Sequence, residues 1–219
     1  MRKTLLAVAT AISAFGAQAD TISYSFGVPI ALSTTEINQS GQLGLFDPSL
    51  GALTGATLTL FGGASFQFSG TNMAAQAQNA RITSSVDLLF GSTIGGLNAL
   101  LTSQGISLSA TSGTQTYAAG ETKIFGPFSD NDSVALDLSS LLAALIGNGT
   151  FGVSCESLSG LGVVGGGGNI AVSQSTQAGC GADIVYTYDA TTRVPEPGSL
   201  ALLGLGLAGL AVTRRRRQQ

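Results

Sequence analysis

The side chains that could do chemistry are two cysteines, Cys155 and Cys180, a scatter of carboxylates, and many hydroxyls in a chain that holds no histidine. Without histidine there is no Ser-His-Asp or Cys-His arrangement, no His-ligated zinc and no imidazole proton shuttle. Asp130-Asn131-Asp132, with Asp137 near, gathers oxygen ligands of the kind calcium takes. It lacks the sixth-position glycine and twelfth-position glutamate of a calcium loop, so a solvated turn is expected. Gly160-Leu161-Gly162-Val163-Val164-Gly165 spells G-x-G-x-x-G. A dinucleotide site needs a helix after it, whereas Gly166-Gly167-Gly168 follows here, and polyglycine does not start a helix. A flexible loop is expected instead. A carboxylate pair could cleave glycosides, but the spacing shows none. Tryptophan is absent, which leaves Tyr24, Tyr117, Tyr186, Tyr188 and the phenylalanines as aromatic platforms for sugars. The N-x-S/T sequences at Asn38, Asn131 and Asn148 read as chance in a chain rich in Ser and Thr. No catalytic, cofactor-binding or metal-ligating residue is assigned, and no cofactor is expected.

Cys155 and Cys180 are then the strongest covalent signal. A lone pair of cysteines in an exported chain forms a disulfide, and two buried free thiols are the alternative. The bridge would close a loop worth roughly 3–4 kcal/mol in the chain-entropy model.

Charge has to be read by segment. Nine basic and twelve acidic residues give a net −3. Most of the bases sit near the two ends, so residues 20–192 keep eleven acids against Arg81 and Lys123 and carry −9. Such a body is repelled by nucleic acid and by anionic membranes.

The ends carry the address. Arg2 and Lys3 precede an apolar run over residues 5–15, and Ala17-Gln18-Ala19 follows. That order reads as a signal peptide over 1–19, cut between Ala19 and Asp20. It implies the Sec translocon and signal peptidase as partners. At the other end, Val194-Pro195-Glu196-Pro197 precedes an apolar stretch over 199–213, and Arg214, Arg215, Arg216 and Arg217 close it. The prolines hold the first part extended. Fifteen residues make a helix of about 22 Å. That is short for a hydrocarbon core of about 30 Å, which arginine snorkelling helps it span. The arginines fix the tail on the cytoplasmic side and leave the body outside. Residues 193–219 resemble the PEP-CTERM sorting signal. The resemblance implies recognition by an exosortase, transient membrane anchorage, and bacteria that make exopolysaccharide and biofilm.

Between these ends, short alternating runs recur between Gly, Asn, Asp and Ser: 21–26, 55–61, 81–90, 106–110, 122–125, 133–138, 150–155, 169–173 and 182–188. This pattern predicts an all-β body, a β-sandwich of jelly-roll type over 20–192. Two short helices are expected, 138–146 with Ser139 as N-cap and Gly147 as stop, and 95–101. Asp47-Pro48-Ser49-Leu50-Gly51 reads as a turn leading an edge segment into the next strand. The body is also similar to the choice-of-anchor E domain. The resemblance rests on 45–51 with Leu53-Thr54, on Gly147-Asn148-Gly149-Thr150, and on Val185-Tyr186-Thr187-Tyr188. It implies a domain carried ahead of surface anchors, with no established reaction. The expected function is a non-enzymatic structural or adhesive protein, finally at the cell surface or outside the cell and linked to exopolysaccharide or biofilm. The alternative is a carbohydrate-binding module, and a secreted hydrolase ranks behind both.

Overall fold

A computed structural model describes residues 19–191. The expected signal peptide up to Gln18, the sorting motif at 194–197, the apolar stretch and the arginine block lie outside the described residues.

Among the described residues, nine strands form two antiparallel sheets. The first contains β1 (Asp20–Phe26), β4 (Gly51–Asn72), β7 (Thr122–Asp137) and β9 (Ile170–Ala190), in the order β1-β9-β4-β7. The two-residue β2 (Ser33–Thr34) also pairs with β9. The second contains β3 (Asn38–Gly44), β5 (Gln78–Ser92), β6 (Gly105–Tyr117) and β8 (Thr150–Gly165), in the order β3-β8-β5-β6. Alternation decides which side of each strand faces in. In β1, Ile22, Tyr24 and Phe26 pack on the core, and Thr21, Ser23 and Ser25 face out. In β5, Ala80, Ile82, Val86, Leu88 and Phe90 are buried on every second position. One apolar cluster joins both sheets.

The expected all-β body is therefore present, but several expected strands fuse. The run 55–61 and the pair Phe66, Phe68 belong to one strand, β4, which pairs with β9 from Gly51↔Ala190 to Asn72↔Ile170. Gly62-Gly63 does not break it. A Cβ on Gly62 would sit 2.5 Å from Leu88 Cδ1 and 3.0 Å from Ile106 Cγ2, so the glycine leaves room for side chains of the second sheet. Runs 122–125 and 133–138 likewise fuse into β7. Gly126-Pro127 is absorbed as an irregularity opposite Gln67, between the pairs Phe68↔Phe125 and Phe66↔Phe128. An edge strand tolerates this, because proline's missing N–H faces no neighbour.

The helices are short. α1 (Gly95–Leu101) buries Leu97 and Leu101. The second expected helix shrinks to a 3-10 turn (Ser139–Leu141) and α2 (Leu142–Leu145). Ser139 is not its cap: Ser139 donates both its amide and its hydroxyl to Asp137 Oδ1. Among the described residues no helix is long and apolar enough to cross a membrane.

Cys155 on β8 and Cys180 on β9 form the expected disulfide, with Cα atoms 6.5 Å apart. It ties one sheet to the other through the core, since both residues are buried.

Candidate functional site

Three stretches far apart in sequence meet at one end of the body: residues 45–51, residues 146–150 and the last turns of β9. Backbone bonds join the first two. Phe46 N–H donates to Leu145 O, Gly147 N–H to Phe46 O, and Leu45 N–H to Gly149 O, each at 2.9 Å. The buried Phe46 ring then lies 5.8 Å from Tyr186 and 5.2 Å from Tyr188. Tyr186 is fully buried and donates its hydroxyl to Gly44 O at 2.9 Å. Burial raises its pKa far above the ordinary value, with the neighbouring Tyr24 adding to the shift. Tyr24 packs edge-on against Tyr186 at 6.2 Å. Its ring occupies the space a side chain on Gly44 would need, and Phe26 does the same over Gly41. Two aromatic rings of β1 thus close onto two glycines of β3, so the edges of the two sheets meet here.

The turn after Phe46 is the one the sequence indicates. Asp47 Oδ1 accepts the Ser49 amide at 2.8 Å, and Leu50 N–H returns to Asp47 O at 3.2 Å. The Ser49 bonds hold the exposed Asp47 carboxyl below its ordinary pKa, the backbone bond most. The turn leads edge strand β3 into central strand β4. It also grips the chain's exit, because Thr191 N–H donates to Leu50 O at 3.2 Å. Asp20, just after the expected signal-peptide cleavage site at Ala19, pairs with Tyr188 at the same end. Asp20 and Thr191, near the two ends of the described residues, therefore lie at the same end of the body.

Between the turn and the 146–150 loop lies an open groove of about 420 Å³. It is lined by Tyr24, Ser25, Gln42, Asp47, Asn148 and Thr150, with Gly44, Leu45, Gly147 and Gly149 as its floor and rim. Ser25, Gln42, Asn148 and Thr150 are exposed, and Tyr24 is half-buried. The two bases of the described body, Arg81 and Lys123, sit near the opposite end, where Lys123 pairs with Gly70 and Arg81 with Val164.

The other candidates lie elsewhere. Asp130-Asn131-Asp132 is not a turn but part of β7, paired with Ala64, Gly63 and Gly62. Asp130 Oδ2 accepts the Ser109 amide of β6 at 2.9 Å and so covers a free edge N–H of the second sheet. Among the described residues no group of three or more carboxylates and cysteines could hold a metal ion. Gly160–Gly165 is not a flexible loop: it continues β8 in register with β5, from Ser85↔Gly160 to Ala80↔Gly165. A 3-10 turn (Gly166–Gly168) then carries the chain across to β9. Of the aromatics that remain as platforms for sugars, Tyr24 and Tyr188 are half-buried. Tyr117 and Tyr186 are fully buried, whereas Phe128 is 39% exposed. Sequence reasoning missed Gln42 and Ser25, which carry no local signal. It singled out Asn148-Gly149-Thr150 only as a sequon and a family position.

Residues 193–217 match the model of the PEP-CTERM protein-sorting motif. The match marks an exported protein with a membrane-associated C-terminal sorting signal and an exosortase as its processing partner. No curated protein matches the chain. Among solved structures, one of Desmodium yellow mottle tymovirus is 11% identical, with 85% of this chain and 97% of that chain covered and a TM-score of 0.22. A cryo-EM structure of Mud crab tombus-like virus is 10% identical, with 92% and 94% covered and a TM-score of 0.21. At such TM-scores neither likeness bears on fold or function.

Proposed function

We propose that this is a non-enzymatic structural or adhesive protein of the cell surface or extracellular matrix, linked to exopolysaccharide or biofilm. Sec translocon and signal peptidase release it before Asp20, and an exosortase cuts it near Pro197. We read the body as a jelly roll, since the sheet β1-β9-β4-β7, with the two-residue β2 added beside β9, faces β3-β8-β5-β6. We also read it as a choice-of-anchor E domain, because the three stretches that carry the resemblance pack against one another around Phe46.

The observation that carries the reading is the sorting motif joined to a body whose last described residue, Thr191, lies at one end, beside a polar groove with Asp47 as its ionised side chain. That groove also favours the second reading, a surface carbohydrate-binding module. Intact mass of the protein from cell envelope and medium tests the processing. The expected ends are Asp20 and a residue near Pro197, and Glu196→Ala should leave the tail uncut. An intact Gln219 in the membrane fraction would overturn it. The matrix role is tested by co-sedimentation: the released protein should pellet with extracellular polysaccharide from wild-type cells. Equal pelleting from a strain without that polymer would exclude the link.

A further inference from the structure

We propose that the groove between Tyr24, Gln42, Asp47 and Asn148 is a binding subsite for a neutral polysaccharide; this rests on the exopolysaccharide reading above. The chemistry of its lining selects the ligand. Sugar hydroxyls both donate and accept, so they are matched by side chains that do both. Tyr24, Ser25, Gln42, Asn148 and Thr150 are all of that kind and all line the groove. Four of them are exposed, and none is tied by a side-chain hydrogen bond to another described residue. Tyr24 also offers part of an aromatic ring to the apolar C–H face of a pyranose. The ring is held in place by Gly44 beneath it and Tyr186 beside it. A volume of about 420 Å³ falls within the ordinary range of small-ligand sites, and the open shape lets a polymer enter and leave.

Charge excludes the acidic alternatives. The ionised group in the lining is the Asp47 carboxylate, which has one oxygen engaged by Ser49. Both described bases lie near the other end of the body, so nothing here neutralises a uronate, sulfate or phosphate. A neutral chain avoids that repulsion.

The groove also stands near Thr191, the last described residue, whose N–H donates to Leu50 O in the turn that carries Asp47.

The test uses the ¹⁵N-labelled exported protein, titrated to millimolar concentration with cellotetraose, maltotetraose, laminaritetraose and, as the acidic probe, polygalacturonate. At least one neutral probe should shift the amides of Gln42, Asn148 and Thr150. The double variant Gln42→Ala/Asn148→Ala should bind it roughly tenfold more weakly with an unchanged melting temperature. Polygalacturonate should leave those amides unmoved. No groove shift with any neutral probe overturns the proposal, as does unchanged affinity in the double variant or stronger groove binding by the acidic polymer. Shifts confined to another face sink the groove while leaving the exopolysaccharide reading intact. That reading fails separately, if the released protein does not co-sediment with native matrix polymer.

Discussion

Where Asn72, Tyr117 and Glu121 meet, turns from both sheets are tied to buried groups; where Thr191 leaves, backbone bonds tie the loops and the side chains are left over. Asn72 is fully buried, and its Nδ2 donates to the carbonyls of Gln76, Tyr117 and Ala118 while its Oδ1 accepts the Ala74 amide. It pins the β4–β5 connection to the β6–β7 connection. The tail end has aromatics for a core and exposed neutral amides and hydroxyls around a groove. A closed end spends its polar groups on its own backbone, and an open end keeps them for something else. That contrast can be broken or sharpened by measurement.

The largest effect should come from the tie that both ends share. Replacing Cys155 and Cys180 by Ala, or reducing the bridge, should cost roughly 3–4 kcal/mol, since the loop encloses 24 residues. For a body of this size the melting temperature should fall by about 10 °C. Hydrogen exchange should show both ends losing protection together. Loss at one end alone would mean that they unfold as separate units.

Asn72→Ala should come next, at about 3 kcal/mol, because Gln76 O, Tyr117 O and the Ala74 amide lose their Asn72 bonds around a buried side chain, while Ala118 O keeps the Glu121 amide. Exchange should quicken first at Ala74 and in the β6–β7 turn, with the Phe46 region little changed. An effect under about 1 kcal/mol would show that water replaces the side chain, and the end is not sealed as described.

Two phenols divide the ends more finely. Tyr186 donates to Gly44 O, so Tyr186→Phe leaves a buried carbonyl unpaired and should cost about 1 kcal/mol. The Tyr117 hydroxyl is buried with no hydrogen-bond partner among the described residues. Tyr117→Phe should therefore be neutral, or stabilising by up to about 1 kcal/mol. Thermal melts of the two variants check this, and opposite signs are the expected result.

How much of this could be read in the sequence depends on what each residue answers to. The disulfide was legible because two cysteines leave one pairing. The Asp47 turn was legible because Asp and Pro act on their own neighbours. The long strands were not. Gly62-Gly63 and Gly126-Pro127 punctuate a local pattern, yet ladder bonds in β4 carry the first pair and an edge position excuses the second. Polyglycine after Gly165 suggested a long loop, but β5 holds residues 160–165 in register. The groove was legible only in pieces. Asn148 and Asp47 stood out singly, but nothing local says that Phe46 pairs with Ile146 or that Tyr24 lies over Gly44. Those contacts depend on the stacking of two sheets, which periodicity indicates without giving the register.

The smallest effect concerns acid, and it falls on the tail end. Asp47 and Asp137 each accept bonds from the serine two residues on, and neither is buried. The Ser49 backbone bond chiefly lowers the first pKa, and the Ser139 hydroxyl bond chiefly lowers the second. A carboxyl depressed on folding binds fewer protons folded than unfolded, so its contribution is present above the ordinary value of 3.8 and is lost as pH falls through the folded pKa. Lowering the pH from about 5 to about 2 should reduce protection, measured against the intrinsic exchange rate at each pH, at the Ser49 and Ser139 amides, with Ala74 at the closed end lagging behind. Asp47→Asn and Asp137→Asn should each flatten that response at their own serine and leave the other unchanged. Both turns flank loops of the groove end, so acid should loosen the site before it reaches the core. If the Ala74 amide opens first, the tail end is not the softer of the two.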